Sequence, residues 1–362
     1  MPNIITNANY LEELKKYSEV KFIDWNKLKH KTILITGATG LVGRFFVDLI
    51  MSKNRNGLDC KIIAIGRNTT KAKKLLNYFD DNLFEFVAHD ISKNFTYDNN
   101  IDYIVHCASN TSPVQYVTDP IGTIDTNVLG TKNLLELSAA KKVKKFILVS
   151  SFEVYGVVNN IKKIGEHDYG AINNTILRSC YPESKRLSES LCIAYSEQRK
   201  IDTSIVRLSR VFGPTMNVES TLSLTQFIKN GLNGEDIVLK SDGSQLYSYN
   251  YVGDTVTAIL KVMLEGKTSE AYNVSSEKFD GRLRDFAESI AKYFDKKIIF
   301  DLPTDVERKG FSNSTMTILN GEKLKNIGWF PLDDLNKKIN VTLDILQSTS
   351  PQPPSSTPKR TL

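Results

Sequence analysis

An apolar run at residues 32–36, TILIT, leads directly into the glycine-rich sequence TGATGLVG, which constrains the fold more than any other feature. Gly37, Gly40 and Gly43 recur at intervals of three. Glycine tolerates backbone angles that other residues resist, and it lets two pieces of main chain approach closely. The following LVGRFFVDLIMSK reads as a helix whose free N–H groups and partial positive charge would face a phosphate. Strand, glycine turn and helix together predict a dinucleotide-binding site.

The second predicted strand ends at IAIGRN, where one residue bears on the choice of dinucleotide. An acid there would accept hydrogen bonds from the ribose hydroxyls of NAD, but the chain carries Gly66 and Arg67. An arginine favours the additional phosphate of NADP, whereas stacking of Arg67 on adenine would be compatible with NAD. NAD and NADP both stay open, with Arg67 favouring NADP. Asp90, in VAHDI, is read either as a contact to the adenine edge or as a helix cap.

Short apolar runs alternate with helical segments from residue 31 onward. Because both faces of a parallel sheet are covered, its strands are continuously apolar. Six runs have this character: TILIT, KIIAI, LFEFVAHD, IDYIVHCA, KKFILVSS and TSIVRLS. Segments such as GTKNLLELSAAK lie between them. The alternation predicts an α/β fold with a doubly wound parallel Rossmann sheet, joined to a smaller C-terminal α/β substrate domain.

The chain is predicted to divide into four segments. Residues 1–30 form an N-terminal extension that resembles an appendage, with a short amphipathic helical period in ANYLEELKKY. Residues 31–212 form the dinucleotide-binding domain, and residues 213–347, where the elements become shorter, form a mainly substrate-binding domain. The tail at 348–362, STSPQPPSSTPKRTL, is rich in proline and serine and is predicted to be disordered.

Composition argues against several other classes of protein. The 362-residue chain has 41% hydrophobic and 24% charged residues, which is typical of a globular protein. Its net charge of +6 is densest in KKVKK at 141–145, which reads as a solvated rim, so no nucleic-acid partner is expected. The four cysteines are far apart, which argues against a disulfide framework or a metal site. Without an export signal or a run of roughly 20 apolar residues, a cytoplasmic location is expected.

The sequence YPESK places Tyr181 and Lys185 four residues apart, on one face of a helix. A phenol has a pKa near 10, but an adjacent ammonium and an oxidised nicotinamide both favour the phenolate. Tyr181 would then take a hydroxyl proton while hydride leaves the same carbon. The fifth strand ends at Ser150 and Ser151, at the sheet edge where ligands bind, so a serine hydroxyl would hold the same substrate oxygen.

These residues resemble the extended short-chain dehydrogenase/reductase superfamily, and within it the NAD(P)-dependent nucleotide-sugar epimerases and dehydratases, over roughly residues 31–340. The motifs that carry the resemblance are TGATGLVG, DI at 90, HCASNTSP at 106, TNVLGT at 126, SSFEVYG, YPESK, RLSRVFGP at 207, YNYVGD and LKNIGW. The resemblance implies an enzyme whose C-terminal domain holds a nucleotide-diphosphate sugar. Relatives commonly form homodimers through two helices beside the sheet, so a homodimer is also an expectation.

The resemblance further assigns roles to individual residues. Ser151, Tyr181 and Lys185 take the catalytic positions, and Asn127 takes a structural one. The residues assigned to the cofactor are Gly37, Thr39, Gly40, Leu41, Val42, Gly43, Arg67, Asp90, Ile91, Ala108, Ser109 and Lys185. The residues assigned to the substrate are Ser109, Thr111, Ser151, Phe152, Arg210 and Tyr247.

Glu153 is a carboxylate at the end of an otherwise apolar strand, in SSFEVYG. Similar 4,6-dehydratases have an Asp-Glu pair at this place, and UDP-glucuronate decarboxylases have a Glu. Once carbon 4 of the sugar is a ketone, the proton on carbon 5 becomes acidic, and a carboxylate can remove it as general base. Glu153 is therefore a candidate catalytic residue; the alternative is that it positions a loop or binds a hydroxyl.

Three residues depart from the family pattern. Phe152 stands where the 4,6-dehydratases carry the aspartic acid that protonates the leaving hydroxyl. Tyr247 stands where many relatives have an arginine on the diphosphate, and Arg210 replaces a usual Asn or Gln. Arg210 is a candidate to supply the missing charge. The departures argue against a standard dTDP-glucose dehydratase.

The sequence thus predicts redox-neutral modification of a nucleotide-diphosphate sugar by transient oxidation at carbon 4. Rotation of the keto sugar would give epimerisation, whereas proton removal by Glu153 would give dehydration or inversion at carbon 5. One alternative is decarboxylation of a nucleotide-linked uronic acid, which needs a cation such as Arg210 or Arg308. The others are a simple reductase and a non-catalytic, nicotinamide-binding regulator, against which Ser151, Tyr181 and Lys185 argue.

Overall fold

A seven-stranded sheet is the central feature of the computed structural model, which describes residues 4–158, 162–301 and 316–349. Its strands are all parallel and lie in the order β3-β2-β1-β4-β5-β6-β10. The bounds are β1 Thr32–Thr36, β2 Lys61–Gly66, β3 Phe84–Ala88, β4 Tyr103–His106, β5 Lys145–Ser151, β6 Thr203–Leu208 and β10 Glu270–Val274. The predicted doubly wound α/β fold is confirmed, and the order reverses between β1 and β4, where such sheets bind ligands.

Both faces of this sheet are buried, which explains the continuously apolar strands. Successive side chains of a strand point to opposite faces. Accordingly Ile33 and Ile35 belong to one apolar core, with helices α2 and α8, and Leu34 belongs to a second core with helix α5. Strand β5, which ends at Ser151, contributes Ile147 and Val149 to the first core and Phe146 and Leu148 to the second.

The helices have the following bounds: α1 Ala8–Ser18, α2 Leu41–Asn54, α3 Thr69–Leu75, α4 Pro113–Thr118, α5 Pro120–Lys141, α6 Cys180–Arg199, α7 Ser223–Leu232, α8 Val252–Glu265, α9 Leu283–Phe294, α10 Glu322–Asn326 and α11 Leu335–Thr349. Local sequence sets several starts. Helix α5, for example, begins at Pro120 because Asp119 accepts a hydrogen bond from Gly122 N at 3.1 Å. Short 3₁₀ helices occur at Ile4–Thr6, Trp25–Leu28, Phe152–Tyr155, Leu177–Ser179 and Glu277–Phe279.

Smaller sheets form the rest of the C-terminal region. Strand β9 pairs with β7, β11 and β13, and β8 pairs with β12. Their bounds are β7 Arg210–Phe212, β8 Ile237–Leu239, β9 Leu246–Tyr251, β11 Asp280–Arg282, β12 Ile298–Phe300 and β13 Met316–Thr317. Strand β10 returns to the large sheet and pairs with β6. The large sheet therefore includes one strand from beyond residue 212, where the sequence analysis placed the start of the substrate-binding domain.

The N-terminal segment packs into the main core and is not the separate appendage that its sequence suggested. Tyr10, Leu14 and Tyr17 on α1 are fully buried. The Tyr10 hydroxyl donates to Asp48 on α2 at 2.7 Å, and buried Lys338 on α11 pairs with Glu13 on α1. Helix α1 thus connects the phosphate-binding helix α2 to the C-terminal helix.

The first two residues of the predicted disordered tail, 348 and 349, belong instead to helix α11, which ends at Thr349. The remainder of that segment, residues 350–362, lies outside the described residues.

Candidate active site

The glycine turn after β1 leaves no room for side chains, as expected of a turn whose main chain approaches a pyrophosphate. Gly37 has φ +67°, and a Cβ built there would lie 2.9 Å from Cα of Ala108. A Cβ on Gly43 would lie 2.3 Å from the carbonyl oxygen of Gly37. Gly40 precedes α2 and provides no side-chain cap. The first backbone N–H groups of the helix can therefore donate hydrogen bonds to a ligand. The turn therefore fits the predicted dinucleotide, and any side chain at Gly37 or Gly43 would obstruct it.

The other turn residues assigned to the cofactor continue into α2. Thr39, Leu41 and Val42 are half-buried at the start of the helix. The Leu41 carbonyl accepts a hydrogen bond from the Thr215 hydroxyl at 2.7 Å, which ties the phosphate-binding turn to the segment after β7. This contact joins the cofactor side of the molecule to the C-terminal region.

The residues assigned to the adenosine end lie after β2 and β3. Arg67 is exposed directly after β2. Asp90 accepts hydrogen bonds from the backbone N and the hydroxyl of Ser92 at 3.0 and 2.9 Å. Its carboxylate therefore caps a turn, whereas one of the two predicted roles was to cap a helix. Ile91 is buried against Gly130 on α5, so its side chain belongs to the core.

The loop after β4 links the cofactor side to helix α6. Ala108 N donates to the Thr36 hydroxyl at 3.1 Å. The Ser109 hydroxyl donates to Asn127 Oδ1 at 2.7 Å, and Asn127 Nδ2 donates to the Ser184 hydroxyl at 2.8 Å. Asn127 is fully buried, which agrees with a structural role. Thr111, also assigned to the substrate, is exposed in the same loop.

Tyr181 and Ser151 lie together, as the sequence predicted. The Ser151 hydroxyl is near enough to the Tyr181 phenol to lower its pKa, and Tyr181 is only 6% exposed. Burial raises the pKa of the Tyr181 phenol; the nearby Glu153 carboxylate adds to the rise, whereas the Ser151 hydroxyl and the Arg178 cation oppose it. The ring stacks on Tyr116 of α4, with centroids 4.7 Å apart and planes at 16°. The stack packs one face of the Tyr181 ring against α4.

Lys185 is held by the sheet. Its Nζ donates to the Val149 carbonyl of β5 at 2.9 Å, and the side chain is 2% exposed. Burial lowers the pKa of Lys185 to about 8, against the opposing effect of Cys107 and Glu189. The effect of the Lys185 ammonium on the pKa of Tyr181 stays a prediction, and Arg178 is a further cation that lowers this pKa.

Glu153 is paired with Arg178, a residue that the sequence analysis missed. Arg178 Nη1 lies 3.2 Å from Glu153 Oε2, and Nη2 donates to Oε1 at 3.3 Å. The Glu153 side chain is 17% exposed and that of Arg178 is 36% exposed. No spacing rule connects positions 153 and 178, and the only sequence signal was that Arg178 lies three residues before Tyr181.

Arg210 lies close to Phe152 and Tyr247, the two other residues that depart from the family pattern. Its guanidinium carbon is 3.4 Å from the centroid of the Tyr247 ring and 4.6 Å from that of Phe152. Within the described residues, Arg210 has no carboxylate at ion-pair distance, so its donors stay available to an anion. Arg308, the other cation considered for a sugar carboxylate, lies outside the described residues.

Comparisons with known proteins identify the family. Residues 33–275 match the sequence model described as the NAD dependent epimerase/dehydratase family. UDP-glucuronic acid decarboxylase 3 of Arabidopsis thaliana is 31% identical over 318 residues, which cover 85% of this chain and 90% of that protein. The chain belongs to the NAD dependent epimerase/dehydratase family.

Two solved structures of nucleotide-sugar enzymes have the same fold. UDP-glucose 4-epimerase of Thermotoga maritima, with UDP-glucose, is 22% identical with a TM-score of 0.74, covering 88% of this chain and 99% of that chain. dTDP-glucose 4,6-dehydratase of Bacillus anthracis str. Ames, in complex with NAD, is 23% identical with a TM-score of 0.72, covering 88% and 97%.

Family membership confirms the predicted enzyme class. The chain is an NAD-dependent nucleotide-sugar enzyme of the epimerase/dehydratase type, and the alternative of a non-catalytic regulator is not supported. NAD is the cofactor of the family, so the preference for NADP suggested by Arg67 is not supported. In the part of the chain that the structure describes, no helix is long and apolar enough to cross a lipid bilayer.

Proposed function

We propose that the chain oxidises carbon 4 of a nucleotide-diphosphate sugar transiently, alters the keto sugar and then restores the carbon-hydrogen bond. The observation that carries this proposal is the buried Tyr181 phenol, which lies beside Ser151 at the carboxyl end of β5. Ligands of doubly wound sheets bind at this edge. The reaction consumes no cofactor overall, which separates it from that of a simple reductase.

When bound, NAD would supply the hydride acceptor of the reaction. The backbone of the glycine turn at Gly37, Gly40 and Gly43 would hold its pyrophosphate. Arg67 would then stack on the adenine ring. The test for this last role is calorimetry with both dinucleotides: we expect NAD to bind more tightly than NADP, and tighter binding of NADP would refute it.

Tyr181 moves the proton at carbon 4. Its phenolate oxygen takes the proton of the carbon-4 hydroxyl, and the Ser151 hydroxyl holds the same substrate oxygen. Burial raises the pKa of the Tyr181 phenol and so disfavours its ionised form. Ionisation must therefore be favoured by the positive charge of the oxidised nicotinamide ring and by the Ser151 hydroxyl.

Glu153 acts in the second step. Its carboxylate removes the carbon-5 proton of the keto sugar. Return of a proton to the opposite face gives inversion at carbon 5 before hydride returns to carbon 4, whereas loss of the carbon-6 hydroxyl gives dehydration, in which hydride would return to carbon 6 instead. If Glu153 only positions the sugar, rotation of the keto intermediate gives epimerisation at carbon 4. Phe152 stands where a 4,6-dehydratase needs a general acid, so inversion is favoured over dehydration.

A second candidate function is decarboxylation of a nucleotide-linked uronic acid. The observation that favours it is a second guanidinium near the Glu153–Arg178 pair: burial lowers the pKa of Arg210, Glu153 raises it and Arg178 lowers it, so both groups lie near Arg210. Two cations against one carboxylate leave a net positive site, which suits a sugar carboxylate as well as a diphosphate. The 31% identical relative is named as a UDP-glucuronic acid decarboxylase.

A panel of nucleotide sugars incubated with the protein in deuterated water, followed by NMR, tests the proposal. We expect a product with no net change of cofactor, and deuterium at carbon 5 that is absent in Glu153→Gln. A product without carbon-5 deuterium in the wild type would restrict Glu153 to positioning. Release of carbon dioxide from a uronic acid substrate would establish the second candidate instead.

The chain is further proposed to form a homodimer through α5 and α6. The two helices pack against each other, and both keep exposed apolar side chains: Ile121, Ile124 and Leu129 on α5, and Leu187 and Ile193 on α6. A second copy of the same helix pair would bury these side chains. Sedimentation should give a dimer that dissociates in Ile121→Glu/Ile124→Glu; a monomeric wild type would refute the proposal.

A further inference from the structure

We propose that Arg178 is a positioning residue that acts through Glu153: it fixes the orientation of this carboxylate and offsets its charge beside Tyr181. The inference rests on the proposed function, because it assigns Arg178 a part in the oxidation at carbon 4. It concerns a residue that neither the motifs nor the family resemblance selected.

The contact between the two side chains is two-pointed. Each terminal nitrogen of Arg178 contacts its own oxygen of Glu153: Nη1 lies 3.2 Å from Oε2, and Nη2 lies 3.3 Å from Oε1. Such paired contacts fix orientation as well as position, which one ammonium would not do. The Arg178 side chain is 36% exposed and that of Glu153 is 17% exposed, so the carboxylate is the more buried partner of the pair.

The backbone on both sides of the pair is ordered by local hydrogen bonds. Glu153 N donates to the Ser151 hydroxyl at 3.2 Å, at the start of the 3₁₀ helix Phe152–Tyr155. Arg178 belongs to the 3₁₀ helix Leu177–Ser179, where the Ser179 hydroxyl donates to the Asn173 carbonyl at 2.5 Å. Helix α6 follows at once, so Arg178 connects Glu153 to the helix that carries Tyr181.

The surroundings show why the charge of Glu153 needs a counter-ion. Glu153 raises the pKa values of both stacked phenols, Tyr181 and Tyr116, and Arg178 lowers both. Burial is the larger cause for each phenol, so the reaction already starts from a phenol that ionises reluctantly. An uncompensated carboxylate beside it would make the proton at carbon 4 harder to remove.

A double-mutant cycle separates action through Glu153 from other roles of Arg178. The readout is the appearance of absorbance at 340 nm in one turnover with NAD and a nucleotide sugar, because this signal reports carbon-4 oxidation even where the later step fails. Arg178→Gln should slow it about tenfold at neutral pH, the effect of one pKa unit on the phenol, and should shift the pH–rate curve to higher pH. Arg178→Lys should recover most of the rate.

In the Glu153→Gln background, Arg178→Gln should change the rate less than about threefold, since the charge that Arg178 offsets is gone. Arg199→Gln, which removes an exposed cation at the other end of α6, is the matched control and should leave the rate unchanged. An equal loss in both backgrounds would overturn the proposal. So would a rise in KM with unchanged kcat, which would make Arg178 a substrate contact.

A second double-mutant cycle, in which the melting temperature of the same variants is measured, does not depend on enzymatic turnover. Arg178→Gln should lower Tm by on the order of 1–2 °C in the wild type and not in the Glu153→Gln background. Equal shifts in both would show that the pair does not form, and would overturn the proposal. If the 340 nm signal is absent for every nucleotide sugar, the proposed function fails, whereas the melting cycle still decides whether Arg178 pairs with Glu153.

Discussion

Arg210 illustrates at the residue scale how a charge can be supplied from a neighbouring strand. Tyr247, on β9, stands where relatives have an arginine, and the guanidinium of Arg210, on β7, lies over its ring at 3.4 Å. Aromatic faces hold a guanidinium in place without consuming its hydrogen-bond donors. We infer that these donors face an anionic group of the nucleotide sugar.

Arg210→Gln should raise the KM for the nucleotide sugar by about ten- to a hundredfold, as expected for loss of a hydrogen bond to a charged group. The Kd for NAD should stay the same. Steady-state kinetics and calorimetry measure the two quantities, with Arg199→Gln as a control for the loss of one positive charge. A weakened NAD site in Arg210→Gln would place this cation on the cofactor instead.

Gly43 is the residue whose replacement should affect the cofactor most directly. The Cβ of Gly43→Ala would meet the Gly37 carbonyl at 2.3 Å, so either the turn or α2 must move. We expect NAD affinity to fall at least about tenfold and stability to fall by about 1–3 kcal/mol. Gly165→Ala is the control, because its Cβ would meet its nearest neighbour at an ordinary 3.5 Å. Unchanged NAD binding in calorimetry would argue against a pyrophosphate at this turn.

Sequence reasoning finds catalytic residues that have a fixed spacing or strand position. Tyr181 and Ser151 follow from a helical repeat and a strand end, and the structure brings them together. The Glu153–Arg178 pair joins a strand end to a turn 25 residues later, and no local periodicity encodes such a contact. The anchoring of Lys185 on the Val149 carbonyl was missed for the same reason, since a backbone partner leaves no mark in the sequence.

Helix α1 shows at the element scale what an amphipathic pattern leaves undetermined. The period in ANYLEELKKY predicts a helix with one apolar face, but not what that face packs against. In the structure Tyr17 packs edge-on against Phe45 of α2 and stacks with Tyr251 before α8. Strand β10 was also missed, because the search for continuously apolar runs does not find EAYNV. This sequence forms an edge strand that begins with a half-buried glutamate.

Tyr17→Ala should destabilise the protein by about 3–5 kcal/mol, the usual cost of removing a large aromatic side chain from a core. The free energy of unfolding in urea measures this. Tyr169→Ala, at a side chain that is 79% exposed, should change it by less than about 0.5 kcal/mol. Equal stability of the Tyr17→Ala variant would mean that the N-terminal segment is not part of the folded core.

The whole molecule should respond to pH through two buried groups with opposite signs. Burial raises the pKa of Asp254, whose Oδ1 accepts from Leu332 N at 3.0 Å, to about 7. The folded state then holds a proton that the unfolded state releases near pH 4, so this stabilising contribution is lost as pH rises from about 4 to 7. Burial lowers the pKa of His106 to about 3, and its contribution rises with pH up to about 6.5.

Because the two contributions oppose each other, the comparison with Asp254→Asn isolates the first. The free energy of unfolding of the wild type, relative to that of Asp254→Asn, should fall as pH rises from 4 to 7. Urea titrations at several pH values measure the difference. A constant difference across this range would show that the carboxyl of Asp254 titrates normally in the folded protein.

The central claim is that Tyr181 initiates a reversible transfer of hydride from carbon 4 of a nucleotide sugar. It is tested most directly with a substrate that carries deuterium at carbon 4, by NMR of the product and absorbance at 340 nm. We predict that the wild type returns the deuterium to carbon 4 without net accumulation of reduced cofactor. Tyr181→Phe should be slower by about 10²- to 10⁴-fold and still bind NAD, whereas Tyr169→Phe should match the wild type. Full activity of Tyr181→Phe, or loss of the deuterium to stoichiometric reduced cofactor, would contradict the account.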